Sequence, residues 1–274
     1  MKRRILPGFP LALGITLFYT ALIVALPIGA LLFKAASLGP EQYWNIVSSA
    51  RAVATYRVTV TSALFATLFN LVFGLALAWV LVRYEFPGKR LVDALVDLPF
   101  ALPTAVAGIA LTTLFASNGW FGSPLAAIGI NVAYTPLGIM IAMAFTSLPF
   151  IVRTVQPVLE ELDPALEEAA QSLGASDGTI FSKVMMPILL PALLAGTSLS
   201  FARALGEFGA IIFIAGNQPM ETEITALLTF IRLEEYDYAS ASAIASVILI
   251  SAFVMLAVTN MAQSRALRYT ENSQ

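Results

Sequence analysis

The chain has 274 residues, of which 58% are hydrophobic and only 12% charged, with a net charge of -2. A soluble domain ordinarily carries about 25% charged residues, so the composition excludes an ordinary soluble domain, and no basic stripe is available for nucleic acid. There is no cysteine and no histidine, which removes disulfides, thiolate or imidazole metal sites and the commonest general base.

Crossing a ~30 Å hydrocarbon core takes about 20 apolar residues at 1.5 Å rise each. Six segments meet that requirement: 9–33, 58–82, 94–116, 132–152, 188–215 and 239–261. They predict an all-α polytopic membrane protein, a single domain over 1–274. Met1-Lys2-Arg3-Arg4 precedes the first segment. That apolar run is too long for a signal core of about 7–15 residues, and it reads as an uncleaved first helix.

Gly39-Pro40-Glu41 reads as the start of a short helix, with Pro where its missing N–H costs little. Tyr43 and Trp44 suit a lipid–water boundary. Asn70, inside the second span, is expected to hydrogen-bond between helices. Asp93 and Asp97 stand at a spacing a metal pair could use, but no third ligand is evident, and a solvated helix start is the better reading. Pro99 and Pro103 predict a kink where the third span opens, with Asp97 capping the helix restarted at Pro99.

Between the fourth and fifth spans lies a polar segment with the run Leu159-Glu160-Glu161-Leu162-Asp163-Pro164-Ala165-Leu166-Glu167-Glu168-Ala169-Ala170-Gln171-Ser172-Leu173-Gly174. Asp163 is an N-cap, Pro164 a first helical residue and Glu167 a carboxylate in the first turn; Gly174 stops the helix. A second short element is expected from Ser176 to Met186, ending at Pro187. Arg203 and Glu207 fall in the fifth span at i,i+4, on one helix face. Ionisable groups at membrane depth are costly, so the two either neutralise each other or line the path or its gate. We expect a structural lock beside the path. The small residues Ala239-Ser240-Ala241-Ser242-Ala243 and Ala245-Ser246 permit close helix packing, internal or between subunits.

Orientation follows Lys and Arg. Lys2, Arg3, Arg4, Arg83, Lys89, Arg90, Arg153, Lys183, Arg265 and Arg268 fall on one side, the expected cytoplasm; the other side holds Lys34, Arg51, Arg57 and Arg232. Both termini are then cytoplasmic. No Gly-x4-Gly-Lys-Ser/Thr occurs, and Gly88-Lys89 lacks the upstream glycine and the hydroxyl residue, so a phosphate-cradling loop is not expected here.

Glu168-Ala169-Ala170, then Gly174, then Val184-Met185-Met186-Pro187 resembles the EAA loop of ABC importer permeases. Val184 and Met186 stand where that family often has Ile and Leu. Further blocks, Arg83-Tyr84-Glu85-Phe86-Pro87-Gly88, the run from Asp97 to Gly108, the run from Val155 to Leu162, and Leu205-Gly206-Glu207-Phe208-Gly209-Ala210, are similar to the sulfate/thiosulfate branch. Molybdate permeases share several of them. The resemblance implies a type I importer permease fold with a cytoplasmic coupling loop, 153–187. Glu167, Glu168, Ala169, Ala170, Gly174 and Pro187 would engage an ATPase. It implies a bacterial inner-membrane location and no cofactor in this chain, with ATP and magnesium in the partner. It also implies a second permease chain (a W-type sister), two ATPase subunits and a periplasmic sulfate-binding protein. The segment 221–238 would contribute to an outer gate and to contact with the binding protein. The alternatives are a molybdate or tungstate permease and, from a different class, a secondary anion transporter. The latter would show inverted repeats or a proton-relay pair near mid-membrane.

Overall fold

The computed structural model describes residues 8–271, with side chains described through Thr259 and at Met261. Lys2, Arg3 and Arg4 lie outside the described residues, as do the side chains of Arg265 and Arg268. The described residues are helical, without strands. Helix α1 (Phe9–Thr20) continues through a π-helical turn, Ala21–Ala25, into α2 (Leu26–Ala36). Helix α3 (Pro40–Val47) then lies before α4 (Ala50–Arg83), as the Gly39-Pro40 signal predicted.

The third expected span is three pieces: α5 (Lys89–Val96), α6 (Leu98–Ala101) and α7 (Thr104–Phe115). Leu102 is extended, with φ -86° and ψ 134°, because Pro103 disfavours the helical region for the residue before it. Asp97 precedes α6 but makes no capping bond through its side chain. After α8 (Gly122–Ala127) comes α9 (Pro136–Glu160), followed by α10 (Pro164–Ser172).

Helix α11 (Asp177–Ile180) runs through a π-helical turn, Phe181–Met185, into α12 (Met186–Leu205), so Asp177–Leu205 is continuous. The expected stop at Pro187 does not occur. The wide turn shifts the ladder just before the proline, where Lys183 would otherwise have lost its i+4 donor. The chain ends in α13 (Ile211–Ile214), α14 (Thr225–Glu234) and α15 (Tyr238–Glu271).

Among the described residues, five helices are long and apolar enough to cross a membrane: Phe9–Ala36, Ala50–Arg83, Pro136–Glu160, Asp177–Leu205 and Tyr238–Thr259. The third expected span corresponds to the broken α5–α6–α7 segment, in which the apolar α7 alone covers only about 18 Å. Helix α4, at about 50 Å, exceeds a ~30 Å core, so Arg51 and Arg83 project at opposite ends.

Helices α4 and α9 make the most extensive contact, and α12 packs on both. Around α9 sit two buried clusters. One joins Ala63, Ile139, Met143, Phe201 and Ile211, and the other joins Leu81, Val96, Val155, Leu159, Met185 and Leu189. Asn70, fully buried, donates to the Ala144 carbonyl and to Ser147 Oγ, both at 2.9 Å; this is the interhelical bond expected of it. Leu11, Phe18, Phe33, Phe65 and Val72 are at least 60% exposed, and no residue of α1 is buried. An apolar surface of that extent is far beyond what a soluble monomer carries and matches a hydrocarbon environment. Within 239–246, Ala241, Ala243 and Ser246 are buried and α15 packs on α12, so these small residues serve internal packing.

Candidate coupling surface and helix-break junction

Asp163 caps α10, its Oδ1 accepting from Ala165 N–H at 2.9 Å. At the other end the N–H groups of Gly174 and Ala175 donate to the carbonyls of Gln171 and Ala170. Gly174 has φ +80°, a left-handed conformation that costs other residues about 1–2 kcal/mol. The helix between these caps has no buried residue. Leu166, Ala169 and Leu173, at i, i+3 and i+7, form an exposed apolar stripe, with Leu173 at 89% exposure. Glu168 is exposed beside them.

Glu167 and Ala170 are half-buried, on the side turned to the rest of the bundle. Glu167 accepts a hydrogen bond from Arg83 Nη2 at the end of α4, and Ala170 packs against the cluster of Leu159, Leu162 and Ile180. The structure therefore divides the expected coupling set. Glu168, Ala169 and Gly174 lie on or beside the outward face, and Glu167 and Ala170 are turned to the body. Pro187 sits inside the continuous helix.

Arg153, expected at the start of the loop, lies two turns inside α9, which runs on to Glu160. Its Nε and Nη2 donate to Asp97 Oδ1 and Oδ2 at 2.8 and 2.7 Å, and Nη1 donates to Asp93 Oδ1 at 2.6 Å. The two aspartates are thus neither a metal pair nor a simple solvated helix start: one guanidinium clamps α5 and the head of α6 onto α9. No group of three or more His, Cys, Asp or Glu is placed to hold a metal among the described residues.

The fifth expected span also breaks. Helix α12 ends at Leu205, and residues 206–210 are irregular before α13. Gly206 and Gly209, both poor helix formers, fall in this stretch. Glu207 is 1% exposed and lies beyond the helix end, not within it. It pairs with Arg203 Nη1 at 2.7 Å, while its Oε1 accepts from Ala210 N–H at 2.9 Å. The carboxylate thus pairs with Arg203 and holds the backbone at Ala210, just before α13. A Cβ on Gly108 of α7 would overlap the Ala210 backbone, and one on Gly209 would overlap Thr104. The two helix breaks are therefore pressed together. Irregular backbone at membrane depth is tolerated where it is buried in protein, and this contact supplies that burial.

Sequence reasoning missed the ties at the opposite end of α4. Arg51 holds the buried Glu223 through two hydrogen bonds, Nε to Oε2 at 2.9 Å and Nη2 to Oε1 at 2.6 Å. Thr59 Oγ1 accepts from Thr225 N–H at 2.9 Å. Both bonds fix the start of α14 to α4 across more than 160 positions of sequence, a separation that no local pattern records.

The architecture is a polytopic helical bundle with a capped, exposed helix at one end and two helix breaks meeting inside it. Residues 70–266 match the model of the binding-protein-dependent transport system inner membrane component family, and the chain belongs to that family. It is 57% identical over 264 residues to the sulfate transport system permease protein CysT of Escherichia coli (strain K12), covering 96% of this chain and 95% of the relative. It is 50% identical over 258 residues to the protein of the same name in Synechocystis sp. (strain ATCC 27184 / PCC 6803 / Kazusa), covering 94% and 90%. In fold it is similar to a chain of a bacterial ABC transporter involved in import of the acidic polysaccharide alginate. That match has TM-score 0.76 at 17% identity and covers 94% of this chain and 96% of the other. A chain of a methionine ABC transporter in an inward-facing conformation matches with TM-score 0.60 at 17% identity, covering 83% and 99%.

Proposed function

We propose that this chain is the T-type permease subunit of an ATP-driven, binding-protein-dependent sulfate importer, with thiosulfate as a further substrate. The observation that carries the reading is α10: a capped helix, with no buried residue, offers Leu166, Glu168, Ala169 and Leu173 to a partner. The substrate class follows from the relatives named as sulfate permeases, which match over nearly their whole length.

In this reading the helix docks on an ATPase subunit that carries ATP and magnesium. Closure of two such subunits draws two coupling helices together and opens the path outward. Oxyanion then enters from a periplasmic binding protein, and hydrolysis returns the path to the inside. A second permease chain, a W-type sister, completes the path. Both termini face the cytoplasm, and the location is the bacterial inner membrane. Differential contact of the ATPase with the two states is what shifts the equilibrium. Arg203 and Glu207 act as a lock at the junction of the two breaks. Their pairing leaves little net charge to attract or repel a dianion.

The test is radiolabelled sulfate uptake in a strain lacking its own sulfate permeases, with the partner genes supplied. Uptake should need the ATPase and the binding protein and should compete with thiosulfate. Competition by molybdate alone would move the chain to the molybdate permeases. Uptake that persists without ATP, driven by an ion gradient, would make it a secondary transporter.

A further inference from the structure

The two adjacent glutamates of α10 meet different surroundings. Glu168 is exposed, while Glu167 turns inward to the guanidinium of Arg83, the last residue of α4. That guanidinium also lies 5.3 Å from the centre of the Trp79 ring, one turn earlier on the same helix. Trp79 in turn meets the edge of Phe181 at 5.5 Å and 77°. Phe181 opens the π-helical turn that carries α11 into α12. Arg83 therefore stands at a three-way joint between the exposed helix, the end of the longest core helix and the base of α12.

Beside this pair, α10 is held by a few contacts with α11 and the π-helical turn. It has no buried residue, its chain enters through residues 161–163, and it leaves through Gly174. Ala170 supplies modest packing. A push on the outer face of such a helix reaches the core most directly through a directional contact. A planar guanidinium can donate to a carboxylate while stacking on an indole; an ammonium, a point charge without a plane, holds the same two partners with less directional control.

We infer that Arg83 is the positioning residue through which displacement of α10 reaches α4, with Glu167 as its partner, so that Glu167 serves the body of the permease and Glu168 the ATPase. This rests on the coupling function proposed above.

The test uses the complete reconstituted complex in liposomes and reads sulfate carried per ATP hydrolysed. Co-purification of the ATPase is measured alongside. Arg83→Gln should lower that ratio about tenfold, within the usual range of coupling energies, while the ATPase still co-purifies. Glu167→Gln should match it, Arg83→Lys should fall between, and the exchange Arg83→Glu with Glu167→Arg should recover part of the loss. An unchanged ratio in Arg83→Gln, a fall that tracks lost ATPase binding, or no recovery in the exchange would overturn the inference. A wild-type complex that hydrolyses ATP without moving sulfate would instead overturn the proposed function.

Discussion

Asn70 shows how one polar side chain can organise a bundle whose helices gain little from leaving lipid. Interhelical hydrogen bonds in membranes are worth about 0.6–2 kcal/mol each, and Asn70 makes two from one amide. Asn70→Leu should destabilise the purified chain by about 1 kcal/mol, read as a lowered midpoint of thermal unfolding in detergent. Arg203→Gln removes the ion partner, the only one among the described residues, of a carboxylate that is 1% exposed. Losing one member of a buried pair costs up to about 3 kcal/mol here, since Arg203 itself is partly exposed and screened. The variant should insert normally yet lose uptake; full uptake would show the pair to be dispensable. Gly108→Val meets backbone, which cannot swing aside as a side chain could. Overpacking of that kind costs about 1–3 kcal/mol, and the variant should show increased protease sensitivity near residues 206–210.

The elements divide by how local their causes are. Helix α10 was legible because its start, stop and composition are local: Asp163, Pro164 and Gly174 do what those residues do in any helix. The short helix at Pro40 was legible for the same reason. The break at Leu102 was displaced from expectation because two prolines compete, and only the one preceded by Leu102 forces an extended residue. The break at residues 206–210 was hidden because the apolar run continues through Ala215. Hydropathy records what can lie in lipid, not whether the backbone stays helical. Gly174→Val should raise the cost of the α10 turn by about 1–2 kcal/mol and give an inserted chain with uncoupled or absent uptake, whereas Glu168→Lys should abolish uptake by disturbing the outward face. Normal uptake in either variant would detach α10 from coupling.

The whole molecule is a bundle whose outer surface is lipid-compatible and whose two ends are tied by different ion pairs. Arg83 and Arg153 tie one end, and Arg51 with Glu223 ties the other. Because the chain has no cysteine, a single introduced thiol reports its own side of the membrane. A cysteine replacing Glu168 should react with a membrane-impermeant maleimide only in inverted vesicles, and one replacing the 86% exposed Trp120 only in intact spheroplasts. The reverse pattern would invert the assigned orientation. The sequence by itself determined that the chain lives in a membrane, roughly where most of its long apolar helices lie and where its exposed helix starts and stops. Those follow from transfer free energy and short-range backbone preferences, which act within a few residues. Only the tertiary structure decided that Asp93 and Asp97 share Arg153, that Glu167 turns from Glu168 toward Arg83, and that two helix breaks meet at Gly108 and Gly209. Each of these depends on which distant surfaces touch, and packing of whole helices sets that, not any pattern along one of them.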